Sequence, residues 1–281
     1  MRFRLTLTPV RDRQQLLFNY QYPLQAWIYR LLNDANEEYA SFLHEKGYQV
    51  PASNKHFKHF TFSSLIIPKI DRPKSGDKAM TLRSQEIGLV ISFYIEKAAE
   101  DFIIGLFQNQ QLSLYNREFR ADFRVERVES IAVNVPSGHI NALRLRTLSP
   151  MVIAEKVANM DQYLVPDDAK FGAFLAQNIV DKYLSVQNGT GLQMDAPTAL
   201  RLLKYRLFPD QNIKQRKMLI KEGKDNKQTK VVGYHNFEFE LSGPSQILEV
   251  ALHSGIGKYS STLGCGCVEV VEEVSPAGTI R

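Results

Sequence analysis

The sequence predicts an α+β protein made of two tandem ferredoxin-like units, the βαββαβ (RRM-like) arrangement. Three observations lead there. Apolar residues recur every second position in short runs and every third or fourth in longer ones. The runs follow the order strand, helix, strand, strand, helix, strand. That order then starts again, dividing the 281 residues near Leu148–Pro150 into units 1–147 and 148–281.

In the first unit, RFRLTLTPV alternates strictly: Phe3, Leu5 and Leu7 face one way, Arg2, Arg4, Thr6 and Thr8 the other. This predicts a half-buried strand. Residues 22–48 read as helix with a break near Asn33–Asn36. HFTFSSLIIP and GLVISFYI supply the next two strands, AAEDFIIGLFQNQ an amphipathic helix, and FRVERVESIAV the closing strand region. The second unit repeats the pattern less clearly. ALRLRTLSPMVIAEKV supplies a strand, AKFGAFLAQNIVDKYLSVQ a helix, and TALRLLKYRLF and QTKVVGYHNFEFELSG two strands. The helix PSQILEVALHS, with Ile247, Leu248, Ala251 and Leu252 at helical spacing, precedes the final strand.

Between that helix and strand lies GIGKYSSTLGCG, residues 255–266, with four glycines in twelve positions. Glycine reaches positive φ freely and lets a ligand approach the main chain. The loop is neither a Walker phosphate loop, whose Gly-Lys-Ser/Thr ending is absent, nor a dinucleotide fingerprint, which needs a strand before it and a helix after it. Here that order is reversed. A sheet of RRM topology can stack bases on its aromatics. The Gly-aromatic-Gly-aromatic-Val-x-aromatic run that does so is missing, so sheet-face stacking is not expected.

Composition is that of a globular chain, 44% hydrophobic and 23% charged. No apolar run reaches the roughly 18 residues needed to span a bilayer, and the alternating N-terminus shows no secretory signal. Cys265 and Cys267, the two cysteines, are too few for a disulfide framework or a structural zinc site. They read as packing residues in a reducing cytoplasm. No metal and no cofactor is expected. The net charge is +5, and residues 214–230 carry seven basic side chains against two acidic ones. Lys214, Arg216 and Lys217 open that segment, which reads either as a solvated hairpin tip or as a polyanion contact.

Taken in order, MRFRLTLTPV, QYPLQAWIYRLL, FLHEKG, KHFTFSSL, RTLSPM and the terminal glycine loop and strand resemble the CRISPR repeat-cleaving endoribonucleases of the repeat-associated (RAMP) superfamily. The resemblance runs nearly end to end, although six residues separate Gly257 from Gly264 where the family usually has five. It implies metal-independent cleavage of CRISPR repeat RNA: the 2′-OH attacks the adjacent phosphate, leaving 2′,3′-cyclic phosphate and 5′-OH ends. That chemistry needs a base, an acid and a cation or strong donor for the phosphoryl oxygens. His44 in FLHEKG and Tyr29 in WIYRLL match the family's histidine and tyrosine. Lys58 matches its lysine, with Lys55 a close rival; His59 is expected to be structural, and His56 to touch RNA. Read cold, His44 is a helix-end surface residue and Tyr29 a packing residue. The resemblance further implies that Gly255, Gly257, Lys258, Ser260, Ser261, Thr262, Gly264 and Gly266 lie against RNA, backbone N–H groups reaching phosphates. Lys214, Arg216 and Lys217 would form a second, salt-sensitive contact. Association with CRISPR effector-complex proteins and homodimerisation stay open. Two rivals remain: a non-catalytic RNA-binding subunit of an effector complex, which needs no Tyr–His–Lys set, and a small-molecule regulator, which needs an apolar pocket and no RNA.

Overall fold

A computed structural model describes residues 1–187, 194–222 and 228–274. The first sheet contains β1 (Arg2–Pro9), β5 (Phe60–Phe62), β7 (Ile87–Phe93), β8 (Gln111–Tyr115) and β9 (Arg120–Ser130), in the order β5-β7-β1-β9-β8. All pairs are antiparallel, and β1 lies between β7 and β9. Without the edge strand β8, which the hydrophobic pattern did not reveal, this is the ferredoxin-like order. Helices α1 (Gln21–Ala35) and α3 (Glu96–Gln108) cover one face, and α2 (Glu37–Glu45) follows α1. Their shared core includes Leu5, Leu7, Trp27, Leu31, Phe60, Phe93 and Phe102. The expected helix break is a cap: the Asn36 side chain accepts a hydrogen bond from the Tyr39 N–H and starts α2. Short pairs β2 (Gln15–Leu17) with β6 (Ala79–Thr81), and β3 (Tyr48–Gln49) with β4 (His56–Phe57), lie outside the sheet.

The second sheet runs β13-β16-β10-β17, from β10 (Asn141–Thr147), β13 (Lys204–Leu207), β16 (Glu238–Gly243) and β17 (Val268–Val274). It repeats the same topology, packed by α4 (Phe171–Val186) and α6 (Ser245–Ser254) over a second core. Among the described residues β10 pairs with β16 and β17, so it lies in the second sheet although it precedes the division expected at 147/148. We propose that the units join within 131–140. Two hairpins are additions: β11 (Ala154–Val157) with β12 (Met160–Tyr163), and β14 (Lys214–Glu222) with β15 (Gln228–His235). Three strand expectations need correction. ALRLRTLSPMVIAEKV, expected as one strand, is two, β10 in the sheet and β11 in a separate hairpin. In TALRLLKYRLF the first half is helical (α5, Ala196–Leu202), because Asp195 caps the Thr198 N–H and Pro197 suits a first turn. QTKVVGYHNFEFELSG is two strands, β15 and β16, separated at Asn236, whose φ is +65°. Among the described residues no helix is long and apolar enough to cross a membrane.

The outward face of β1 is less open than its alternation suggests. Arg2 is only 4% exposed; its guanidinium donates to the Leu252 carbonyl (2.5 Å) and to Ser92 Oγ (3.3 Å), and Ser92 also meets His253 Nδ1 (3.0 Å). His59, 2% exposed, lies between Ser254 Oγ and Ser185 Oγ, 2.8 Å from each. Polar side chains therefore stitch the two units together. Burial pushes both imidazoles down to about 3, helped by Lys182 near His59 and by the N-terminal ammonium and Arg2 near His253.

Two predictions follow from this packing. Gly105 lets α3 cross α1 so closely that a Cβ there would stand 2.0 Å from the Leu31 carbonyl oxygen. Alanine in place of helical glycine ordinarily stabilises by about 1 kcal/mol; here Gly105→Ala should destabilise by more than about 2 kcal/mol in denaturant melts. Second, His59 and His253 stay neutral in the folded protein below the ordinary histidine value of 6.5, whereas the unfolded chain takes up protons there. Stability present above pH 6.5 is thus lost as pH falls towards 3, by up to about 1.4 kcal/mol per pH unit for each group. His59→Gln should flatten the stability–pH slope below pH 6.5 by about one proton, measured by denaturation against pH; an unchanged slope would mean that folded His59 protonates freely.

Candidate functional site

Three side chains singled out in the sequence meet on the first unit. Tyr29 projects from α1, His44 from the last turn of α2, and Lys58 from the short link between β4 and β5. The Tyr29 and His44 rings meet edge to face, centroids 5.4 Å apart at 82°. The Lys58 ammonium sits over the Tyr29 ring, 5.5 Å from its centre, and donates to the His44 carbonyl. His44 is exposed, while Tyr29 and Lys58 are half-buried. Phe60 supports the other side of Tyr29 at 5.7 Å. The Tyr29 hydroxyl is buried and has no hydrogen-bond partner among the described residues. Burial raises the Tyr29 phenol well above its usual range and lowers the Lys58 ammonium.

Local backbone chemistry produces this meeting. α2 ends at Gly47, φ +66°, whose N–H returns to the Phe42 carbonyl. A Cβ at Gly47 would lie 2.7 Å from the Phe57 carbonyl oxygen, so only glycine brings β4 this close behind the helix end. Lys58 is then held from both sides. Its neighbour Phe57 packs under the Lys182 ammonium, 5.8 Å from the ring centre, and its neighbour His59 is the buried bridge to Ser185 and Ser254. Lys55 instead pairs with Asp181 of α4 at 2.5 Å. The geometry thus groups Lys58, and not Lys55, with Tyr29 and His44. His56 is exposed at the mouth of the neighbouring cleft, and His59 is interior.

The glycine loop adopts a different form from the open backbone surface expected. It contains a short helical turn, α7 (Ser260–Leu263), and its glycines pack against the protein. A Cβ at Gly264 would meet the Phe62 ring at 2.3 Å, one at Gly255 would meet Thr61 at 2.8 Å, and one at Gly266 would meet the Ile256 carbonyl oxygen at 1.8 Å. Several loop N–H groups are already used. Gly257 donates to Asn178 Oδ1, Lys258 to the Val152 carbonyl, Ile256 to the Gly266 carbonyl and Gly266 to the Pro150 carbonyl. The carbonyl side is anchored by Lys182, 2% exposed, whose ammonium donates to Gly255 (2.6 Å), Gly257 (3.2 Å) and Ser254 (3.4 Å) carbonyls and to Ser260 Oγ (2.9 Å). Burial brings it down to about 7. No sequence argument singled out Lys182; the available signal was a charged residue inside the apolar stretch Ile179–Leu184.

Beside this anchor a cleft of ≈ 460 Å³ runs between the units, lined by His56, Phe57 and Lys58 on one side and Lys156, Lys258 and Ser261 on the other. Lys258 is paired with Asp161 at 2.7 Å, and Ser260 is interior, so the loop offers Ser261 and Thr262 to the cleft more than Ser260. Of the basic hairpin, Lys214 and Lys217 are exposed on β14, whereas Arg216 donates to the Phe18 carbonyl at 3.0 Å and lies over Tyr20. Arg216 therefore docks the hairpin on the first unit. Lys224 and Lys227 lie outside the described residues. Cys265 and Cys267 are buried and unpaired, their thiols pushed up by burial to about 12 and about 11, as packing residues should be.

The fold has known counterparts. Two family models match in succession: CRISPR-associated protein Cas6, N-terminal, over residues 15–128, and CRISPR associated protein Cas6, C-terminal, over residues 133–270. The CRISPR-associated endoribonuclease Cas6 1 of Methanocaldococcus jannaschii is 27% identical over 260 residues, covering 91% of this chain and 87% of that protein. A solved structure of a RAMP protein binding different RNA substrates superposes with a TM-score of 0.73 at 22% identity, covering 97% of this chain and 100% of that one. A Cas6-related protein from Pyrococcus furiosus does so with a TM-score of 0.73 at 21% identity, over 97% and 98% of the two chains. At such identity the structural likeness speaks to the fold, and the family matches speak to descent: the chain belongs to the Cas6 family of CRISPR-associated proteins.

Proposed function

We propose that this protein is an endoribonuclease that binds CRISPR repeat RNA in precursor transcripts and cuts it without a metal ion. The 2′-oxygen forms a bond to the neighbouring phosphorus while the bond to the 5′-oxygen breaks, leaving 2′,3′-cyclic phosphate and 5′-OH ends. One proton leaves the 2′-OH and one reaches the departing 5′-oxygen. The observation that carries this reading is the meeting of Tyr29, His44 and Lys58 at one point of the surface, beside a cleft rich in lysine.

The surroundings of each group suggest its part. A phenol raised by burial stays protonated near neutral pH, so Tyr29 acts as a hydrogen-bond donor and not as the base. Its buried hydroxyl, with no partner among the described residues, can donate to a substrate oxygen once Lys58 shifts off its ring. Lys58 supplies positive charge for the phosphoryl oxygens as the pentavalent centre forms. His44, exposed beside both, makes one of the two proton transfers, and solvent water completes the other. RNA phosphates are drawn to the cleft lysines and to Lys214 and Lys217 on the hairpin, an attraction that salt weakens.

Substitution tests these roles. His44→Ala should cut repeat RNA about 10²–10⁴-fold more slowly, judged by end-labelled RNA on denaturing gels, while filter binding stays the same. Cleavage at the wild-type rate would remove His44 from the mechanism and leave an RNA-binding subunit. Lys58→Ala should resemble His44→Ala, and Lys55→Ala should not; the opposite ranking would exchange the two lysines. A 2′-deoxy nucleotide at the cut should block product formation and a chelator should leave it unchanged, since metal dependence would contradict the scheme.

A further inference from the structure

A second cavity opens from the cationic cleft and has no part in the mechanism above. It measures ≈ 540 Å³ and lies between β4 of the first unit and β11 and α4 of the second. Its walls are mainly apolar: Phe57, Phe174, Val152 and Ile153. His56, Phe57, Asn178 and Lys258 line both cavity and cleft, so the two are continuous. From the geometry we propose that this cavity is a nucleobase site. It takes one base of the RNA strand next to the cut, stacked on the Phe57 and Phe174 rings and read by the Gln177 and Asn178 amides. The proposal rests on the reading that the chain binds RNA.

The polar side of the cavity is preorganised. Phe174, Gln177, Asn178 and Asp181 share one face of α4 at spacings of three and four residues. Asp181, 8% exposed, accepts from Gln177 Nε2 at 2.9 Å and from Lys55 at 2.5 Å. Asn178 Oδ1 accepts from the Gly257 N–H at 2.8 Å. Each amide therefore has one end fixed. Among the described residues the other ends, an acceptor at Gln177 Oε1 and a donor at Asn178 Nδ2, have no partner. Every nucleobase edge offers donors and acceptors to such groups, and every base has a face to stack. The occupant follows from the rim. A strand whose phosphates lie along Lys58 and Lys156 must put its bases somewhere, and an aromatic-walled recess opens beside those charges. A free apolar ligand would have no use for that cationic mouth.

The test is a coupling measurement. Repeat RNAs carrying one abasic nucleotide each, at successive positions, are titrated by fluorescence anisotropy against the His44→Ala protein, so that binding is read without cleavage. The same series is repeated with Phe174→Leu added. At one position near the cut, losing the base should weaken binding about tenfold, and less than twofold once Phe174 is replaced. Asn178→Asp, nearly isosteric and turning the donor end into an acceptor, should change which base is preferred at that position alone. Equal losses in both proteins at every position, with no change of preference in Asn178→Asp, would overturn the pocket. Should wild-type protein bind the RNA without cutting it, the nuclease reading fails while this coupling still decides the pocket. Should it cut normally without coupling, only the pocket fails. Should no repeat RNA bind at all, both fail.

Discussion

The position of Lys58 depends on the way its two neighbours are clamped by the other half of the chain. A lysine on a two-residue link between short strands would ordinarily sample many positions. Here Phe57 packs beneath the Lys182 ammonium and His59 is hydrogen-bonded at both ring nitrogens, to Ser185 and Ser254. Lys182, Ser185 and Ser254 all belong to the second unit. The Tyr29–His44–Lys58 set thus stands on residues of the first unit alone, but its geometry is fixed by the second. This explains why a buried polar interface is kept where apolar packing would cost less desolvation. Serine hydroxyls and one ammonium hold a specific register, which a smooth apolar contact would leave free to slide.

The same ammonium also fixes the glycine loop. The C-terminal end of α6 leaves carbonyls without partners, and a cation there is favoured by the helix dipole. Lys182 meets the Ser254 carbonyl and continues to those of Gly255 and Gly257, with Ser260 as a fourth acceptor. Turning those carbonyls inward requires positive φ at Gly255 and Gly257. Glycine is needed at Gly264 for another reason: the loop presses on Phe62 of the opposite unit, and any side chain there would strike the ring. The loop is therefore a joint between the units before it is a surface for a ligand.

This separates what the sequence made legible from what it concealed. Strand alternation in Phe3, Leu5 and Leu7, and the helix break near Asn33–Asn36, are local effects, and they appear in the fold as read, the break as a cap by Asn36. β8 and β12 were not legible, because QLSLY and MDQY are too short for periodicity to distinguish them from loop, and β11 was read as the tail of the strand before it. TALRLLKYRLF failed because the Asp195 cap outweighs the strand-like pattern of the apolar residues. At the site, His44 and Tyr29 stood out through resemblance to a family, since nothing local distinguishes a helix-end histidine from any other. Lys182 and the bridging roles of His59 and Arg2 were hidden because burial of a polar side chain is decided by chain segments far away in sequence, 72 positions at the nearest for Lys182.

A common constraint also explains why Tyr29, His44 and Lys58 meet as they do. The His44 imidazole and Lys58 come within reach because Gly47 reverses the chain directly after α2 and the Phe57 carbonyl fills the space a Cβ would need. Among the described residues Lys58 enters no ion pair, and its ammonium meets the His44 carbonyl and the Tyr29 ring face. Both are weak partners for an ammonium that burial already disfavours. A phosphodiester would be a far better one. An uncompensated cation therefore makes the empty site electrostatically costly and the occupied site favourable, which is the direction a surface selecting a polyanion requires. The Lys55–Asp181 and Lys258–Asp161 pairs on the cleft's edge, by contrast, are already satisfied, so the attraction is concentrated where the reacting bond would lie.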